Sequence, residues 1–331
     1  APPSEIPSFE VKDMSQAHTA RSSHSRFERH SRFERHSSFE RARIRTGVAF
    51  LVPTTLLCIL FIIVPLVNVV IYSFHDWNGV SKDMAYIGLD NYRMLPSTEG
   101  FWQMAVATLA FAVGTTALVI VLSFILALAL DSKNRGRFTR GLFRTLWFFP
   151  CILSGSVVGI VWRIMYNYNN GVINAILKMA GLSPVNWLET YGLTNLAVIF
   201  AAVWAQAGLC IVIFLAGLQS ISPELHEAAA IDGASMGQIR RHITIPMMAP
   251  SITINVLTTS IAAFKMYELP WLVSGGLPGY STRLLTQRIY FFAFQSGKFG
   301  VGSALAVILI LIITAISLVQ LVVLRKREDI Y

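Results

Sequence analysis

Six long stretches of this 331-residue chain contain no Asp, Glu, Lys or Arg, and no other feature restricts its fold so tightly. Residues 46–74, 101–130, 145–162, 191–223, 243–264 and 299–324 each hold roughly the 17–25 apolar residues that carry a helix across a bilayer. In hydrocarbon every backbone N–H and C=O must be paired within the protein, so these runs are expected as helices rather than open strands. A soluble domain does not need them: 54% of the residues are hydrophobic and 14% charged, where an ordinary domain has about a quarter charged. The expected fold is an all-α membrane protein with about six transmembrane helices. The third and fifth runs are the short ones, flanked by Arg163 and Lys265.

Basic residues set the orientation. With the amino terminus on the cytoplasmic side, the inner segments carry nineteen Lys and Arg, and the outer loops carry six: Lys82, Arg93, Lys178, Arg283, Arg288 and Lys298. That bias places both termini inside. The net charge of +9 is then answered by the anionic inner leaflet, and no nucleic-acid partner is called for. Cys58, Cys151 and Cys210 all fall in apolar runs and read as small core residues, with no disulfide framework or metal spacing. The first apolar run is long and follows some 45 mostly polar residues, which does not fit a cleavable signal peptide.

Three regions result: a basic tail over 1–45, a membrane domain over 46–327, and a short cytoplasmic end over 328–331. Within the tail, residues 25–42 repeat a hexamer, Ser-Arg-Phe-Glu-Arg-His twice and then Ser-Ser-Phe-Glu-Arg-Ala. Six residues do not match the helical period, so Phe27, Phe33 and Phe39 form no single stripe, and His24, His30 and His36 gather on no helix face as metal ligands. A disordered basic segment on the inner leaflet is the expectation.

Between the fourth and fifth runs, residues 222–250 form a polar segment with strong helix punctuation. Ser222 suits an N-cap and Pro223 the first helical position, where its missing N–H costs nothing. Glu224 and Glu227 lie toward the positive end of that helix, and Ala228 and Ala229 let another surface approach. Gly233 tolerates positive φ, so a second short helix from about Ser235 turns away, and Pro246 and Pro250 mark the return to the membrane.

The order Glu227-Ala228-Ala229, then Asp232-Gly233, then Ile243-Thr244-Ile245-Pro246 resembles the EAA loop of permease subunits from binding-protein-dependent ABC importers. The resemblance implies that 222–246 is a coupling segment docking on an ATPase subunit, with Glu227, Ala228, Ala229, Asp232, Gly233, Ile243 and Pro246 carrying it. It also implies a type I importer permease fold. The family often has an aromatic residue in the middle of the second helix; here Ile239 takes that anchor's place.

Charges inside a bilayer cost about 2.5–3.5 kcal/mol on insertion scales, so those retained usually have a role. Lys265 and Glu268, three residues apart, are expected on one helix face at pairing distance, flanked by Tyr267 and Trp271. Aromatic faces beside hydrogen-bonding groups suit sugars, and Asn255, Trp204 and Gln206 complete the candidate substrate path. The external turn from Gly275 to Gly279, with Tyr290, Phe294, Phe299-Gly300 and 303–306, is similar to the carbohydrate branch of the same family, on the side of the larger maltose-permease-type subunit. So are Gly88-Leu89-Asp90-Asn91-Tyr92, Phe149-Pro150 with Trp162, and Gly171 with Asn174.

No Gly-x-x-x-x-Gly-Lys-Ser/Thr loop occurs, since Gly297-Lys298 runs into Phe299; no HExxH helix or GxSxG elbow occurs either. The chain is therefore expected to be no enzyme by itself and to bind no cofactor, ATP and Mg²⁺ belonging to partner subunits. The resemblance implies those partners: two ATPase subunits, a second homologous permease, and a periplasmic or extracellular solute-binding protein, in a bacterial inner membrane. Lys265, Arg283 and Arg288 would suit an acidic oligosaccharide such as an alginate-like uronate polymer; a neutral oligosaccharide and a phosphorylated polyol are the alternatives. An ion-gradient-driven secondary transporter using Lys265 and Glu268 is the reading from another class.

Overall fold

A computed structural model describes residues 45–131, 137–277 and 279–328. The tail with its hexamer repeat and His24, His30 and His36, and the terminal residues 329–331, lie outside the described residues. Two units are distinguished, Ala1–Asn68 and Val69–Tyr331.

The first unit, from Arg45 onward, is the apolar helix α1 (Arg45–Tyr72), whose last turn enters the second unit. At Ile59–Ile63 it widens into a π turn in which Val64 N–H bonds to Ile59 O. Pro65 follows at once, and having no N–H it leaves Phe61 O without its usual partner; the wider turn accommodates the gap. Cys58 is exposed on this helix, so its expected place as a core residue is not borne out: α1 presents an apolar surface there, of the kind that lipid accepts.

In the second unit a short ladder, β1 (His75–Asp76) antiparallel to β2 (Ala85–Tyr86), is followed by the helix α2 (Asp90–Met94). Asn91 explains why they stay together. Its buried Nδ2 donates to Ser73 O and His75 O, both at 2.9 Å, while Tyr92 Oη donates to Ser73 Oγ at 2.7 Å. Next come the long helix α3 (Phe101–Asp131), then α4 (Arg137–Ile152), α5 (Gly155–Met165), α6 (Val172–Met179) and the long α7 (Leu193–Gln219). With 31 residues, α3 extends about 46 Å at 1.5 Å per residue, longer than a hydrocarbon layer of about 30 Å.

The core is built where α3 meets α7. Fully buried Ala112, Ala201, Ala202 and Ala207 keep the backbones close, and Ser123 Oγ donates to Ala207 O at 3.0 Å. Phe124 and Phe214 meet edge to face with centroids 5.3 Å apart. Gly208 has a stricter reason: a Cβ there would collide with the Trp147 carbonyl of α4.

After α7 the chain forms α8 (Pro223–Ile231), α9 (Met236–Met247), α10 (Ala249–Lys265), α11 (Glu268–Ser274), α12 (Leu285–Tyr290) and α13 (Phe299–Glu328). Among the described residues four helices, α1, α3, α7 and α13, are long and apolar enough to cross a membrane, or up to six spans form if each of two bent pairs counts as one. The two short runs are the bent ones. The third is α4 and α5, turned by 111°, and the fifth is α9 and α10, turned by 61°. Pro150 weakens the end of α4, and Ser154 then goes extended (φ −64°, ψ 148°) and caps α5 by accepting from Val157 N–H.

Candidate functional site

Two places in the second unit gather the residues singled out by sequence. The first is the polar hinge between α7 and α10. Ser222 accepts from Glu224 N–H at 3.3 Å and Pro223 opens α8. Its far end closes as a Schellman motif: Gly233 N–H bonds to Ala230 O, and Ala234 N–H to Ala229 O, with Gly233 at φ +81°. Ser235 starts α9 with a capping box, accepting from Gln238 N–H while its own N–H reaches Gln238 Oε1 at 2.7 Å. His226 Nε2 and Thr244 Oγ1, 3.2 Å apart, tie the two helices together.

Inside α9 the stretch Arg240–Thr244 is a π turn, with Ile245 N–H on Arg240 O and Pro246 directly behind. This is the same arrangement as Ile59–Ile63 ahead of Pro65, and the missing proline donor has the same effect. Glu227, Ala228, Asp232 and Gly233 are exposed, while Ala229, Ile243 and Pro246 are half-buried. Ile239, expected as the outward anchor, is only 4% exposed and packs inward. The most exposed large apolar side chains of the segment are Ile231, 86% exposed, and Met236, 71% exposed, on either side of the Gly233 turn.

The second place surrounds the α10–α11 junction. Lys265 ends α10 because Met266 turns extended (φ −66°, ψ 127°), and α11 starts afresh at Glu268. Lys265 and Glu268 are thus not on one helix face, and no ion pair joins them; the expected pairing is lost to that break. Both instead line a cavity of about 360 Å³, together with Tyr267, Cys151 and Leu153. Glu268 Oε2 accepts a hydrogen bond from Ser156 Oγ of α5 at 2.9 Å. The α4–α5 break and the α10–α11 break therefore face the same space.

A second cavity, of about 190 Å³, shares Tyr267 with the first and adds Trp271, Arg283, Gln287, Arg288 and Tyr290. Burial pushes the Tyr267 phenol up from its ordinary pKa, with Tyr290 and Glu268 adding to it. Burial draws the Arg288 guanidinium down; Tyr280 and Glu99 oppose this and Arg283 reinforces it. From Tyr267 a series of rings runs outward. Tyr290 lies 5.1 Å away, Phe294 5.3 Å beyond it, then Phe299 at 6.1 Å and Trp77 at 5.1 Å.

The remaining candidates lie elsewhere. Trp204 packs edge-on to Trp162 at 5.8 Å. Asn255 is fully buried between α10 and α7, donating to Cys210 O at 3.4 Å with Oδ1 unpaired, and Gln206 Nε2 is buried without a partner. Ser156, Gln287, Tyr290 and Phe291 line or reach the cavities and were not singled out as site residues. The signal for part of that set was present: Arg288, Phe291 and Gln295 recur at three- and four-residue spacing, one face of a helix.

Comparison with known proteins adds three findings. A family model for the inner membrane component of binding-protein-dependent transport systems matches residues 121–329. A probable starch degradation products transport system permease of Thermoanaerobacterium thermosulfurigenes is 32% identical, over 84% of this chain and 94% of its own length. A trehalose/maltose transport system permease of Thermococcus litoralis is 30% identical over 86% and 95%, and a multiple sugar-binding transport system permease of Streptococcus mutans 33% over 85% and 96%. Among solved structures, a chain of a bacterial ABC transporter involved in importing the acidic polysaccharide alginate superposes with a TM-score of 0.76 at 22% identity, covering 86% of this chain and 96% of that one.

Proposed function

Since the chain belongs to the family of inner membrane components of binding-protein-dependent transport systems, and is a multi-pass permease of an ABC importer, we propose that it forms the path of a carbohydrate. The observation carrying this reading is the meeting of two helix breaks on one cavity, with Lys265, Tyr267 and Glu268 at the junction, beside a second cavity that shares Tyr267 and is walled by Trp271 and Tyr290. Sugars show apolar C–H faces and hydroxyl edges, and rings beside donors and acceptors answer both. The three sugar-system relatives support the same class.

In this reading the chain works in the inner membrane beside a second permease, two ATPase subunits that hold ATP and Mg²⁺, and a solute-binding protein that delivers the sugar. The segment 222–246 is the handle. Glu227 gives polar anchoring, Ala228 and Ala229 give a close surface, and the rigid Gly233 turn transmits movement into α10, whose far end is Lys265. Closure of the ATPases then shifts the junction at Met266 and exposes the cavity to one side or the other.

The test is uptake by the complete complex in proteoliposomes. A labelled oligosaccharide should accumulate only with ATP inside the compartment facing the ATPases and with the solute-binding protein outside. Accumulation driven by a proton or sodium gradient without ATP would overturn the reading.

A further inference from the structure

The smaller cavity holds polar groups that the fold leaves unanswered. Gln287 is 5% exposed; its Oε1 accepts Leu284 N–H at 3.2 Å, yet its Nε2 is buried with no hydrogen-bond partner. Arg288 repeats the condition at Nε. Its guanidinium carbon lies 4.9 Å and 4.5 Å from the ring centroids of Phe291 and Phe292. Arg283 borders the same space, its Nε donating to Gly276 O at 3.3 Å and its Cζ 5.5 Å from the Tyr280 ring. Among the described residues neither arginine makes an ion pair, and Glu99 is the carboxylate whose field reaches Arg288.

Buried polar groups are nearly always bonded, so unanswered ones in a cavity wall mark where a ligand atom belongs. Every unanswered atom here is a donor, and two guanidinium groups share the space without a bonded counter-charge. The ligand must accept hydrogen bonds and carry negative charge. Tyr267, Trp271 and Tyr290 add ring faces, which a bare inorganic anion does not use and a saccharide does. The wall between Phe291 and Gln295 is a π turn, a departure from the α-helix that frequently accompanies functional sites.

Resting on the carbohydrate reading above, we propose that the cavity bounded by Arg283, Gln287 and Arg288 is a subsite for the carboxylate of an acidic saccharide. At about 190 Å³ it is smaller than whole small-molecule pockets of about 300–1,000 Å³, and it suits one sugar unit of a longer chain. Tyr267 lines both cavities, so the neighbouring unit occupies the larger one. Arg288 and Gln287 grip the carboxylate, and Arg283 supplies the second positive charge.

The experiment titrates the full transporter complex in nanodiscs with a uronate trisaccharide, its methyl ester, a neutral trisaccharide of equal length, and inorganic phosphate. The acid is expected to bind at least tenfold more tightly than its ester, in line with charge-assisted hydrogen bonds. Arg288→Gln should erase that preference, and Arg288→Lys should keep part of it. Equal binding of acid and ester by the unaltered complex overturns the subsite, whether or not the variants fold. Phosphate competing as strongly as the uronate overturns the saccharide assignment in favour of a small-anion site. Binding of the neutral sugar as tightly as the acid sinks the subsite alone, whereas failure to bind any saccharide sinks the carbohydrate reading with it.

Discussion

Ser156 Oγ donates a 2.9 Å hydrogen bond to Glu268 Oε2, and so the first turn of α5 is tied to the first residue of α11. The α5 helix starts after the break at Ser154 inside the third run, and α11 starts after the extended Met266 that ends α10. The bond therefore joins two breaks rather than two continuous helices. A carboxylate held this way stays at the cavity wall with its second oxygen free for a ligand hydroxyl.

That geometry separates two variants. Ser156→Ala removes a partly exposed donor, and a stability loss of about 0.5–1.5 kcal/mol is expected, with uptake largely kept. Glu268→Gln retains an acceptor for Ser156 and removes the charge; uptake is expected to fall at least tenfold while the thermal midpoint changes little. Parallel measurements of melting and sugar uptake on the purified complex check both. Equal effects of the two variants would mean that Glu268 is only a structural tether.

At Gly233 the constraint is conformational, because the backbone sits at φ +81° and a Cβ would meet nothing within 4 Å. Gly233→Val should cost about 1–2 kcal/mol locally from the left-handed backbone and should loosen the Schellman turn. The expected outcome is a complex that inserts and retains ATPase activity while sugar uptake drops several-fold. Gly233→Asn, which tolerates the same φ, should restore most of the uptake. An unchanged uptake-to-ATPase ratio in the valine variant would remove Gly233 from the coupling path.

Asn174 is 1% exposed and answers four groups: Nδ2 donates to Tyr168 O and Val185 O, and Oδ1 accepts from Val185 N–H and Trp187 Nε1. Leucine at this position would fill similar space and leave these partners unpaired. Each orphaned group costs about 1–3 kcal/mol, so Asn174→Leu is expected to be among the most damaging single changes in α6 and the turn that follows it. Limited proteolysis between residues 180 and 192 should become faster by an order of magnitude or more.

How far the sequence shows this fold depends on which physical term decides each element. The helices α3, α7 and α13 follow from length and lack of charge, and both terms are written in the sequence. The turn at Gly233 was equally legible, since capping residues and glycine act locally. The breaks at Ser154 and Met266 were not, because apolar character runs through the first and a three-residue spacing bridges the second. Lys265 and Glu268 were expected as partners on one helix face; the extended Met266 separates them, and both line one cavity. Asn255 and Gln206 were legible as polar residues in apolar runs, but that Asn255 packs between α7 and α10 depends on helix contacts the sequence does not show. Gln287 was missed because its importance lies in an unanswered amide that only the folded cavity reveals.

The hinge between α7 and α10 offers the sharpest comparison of two isoleucines. Ile231 is 86% exposed beside the Gly233 turn, and Ile239 is 4% exposed within it. An isoleucine left in water forfeits about 1.5–3 kcal/mol of burial that a partner surface would recover. Ile231→Glu should therefore leave the fold of the permease intact and weaken retention of the ATPase subunits during purification by about tenfold or more. Ile239→Glu buries a charge inside the hinge and should lower the thermal midpoint of the chain itself. Retention of ATPase measured by quantitative mass spectrometry, set against melting curves of each variant, distinguishes them. If Ile231→Glu holds its ATPase as firmly as the parent, the exposed pair of Ile231 and Met236 is not the docking face, and the polar side carrying Glu227 must carry the contact instead.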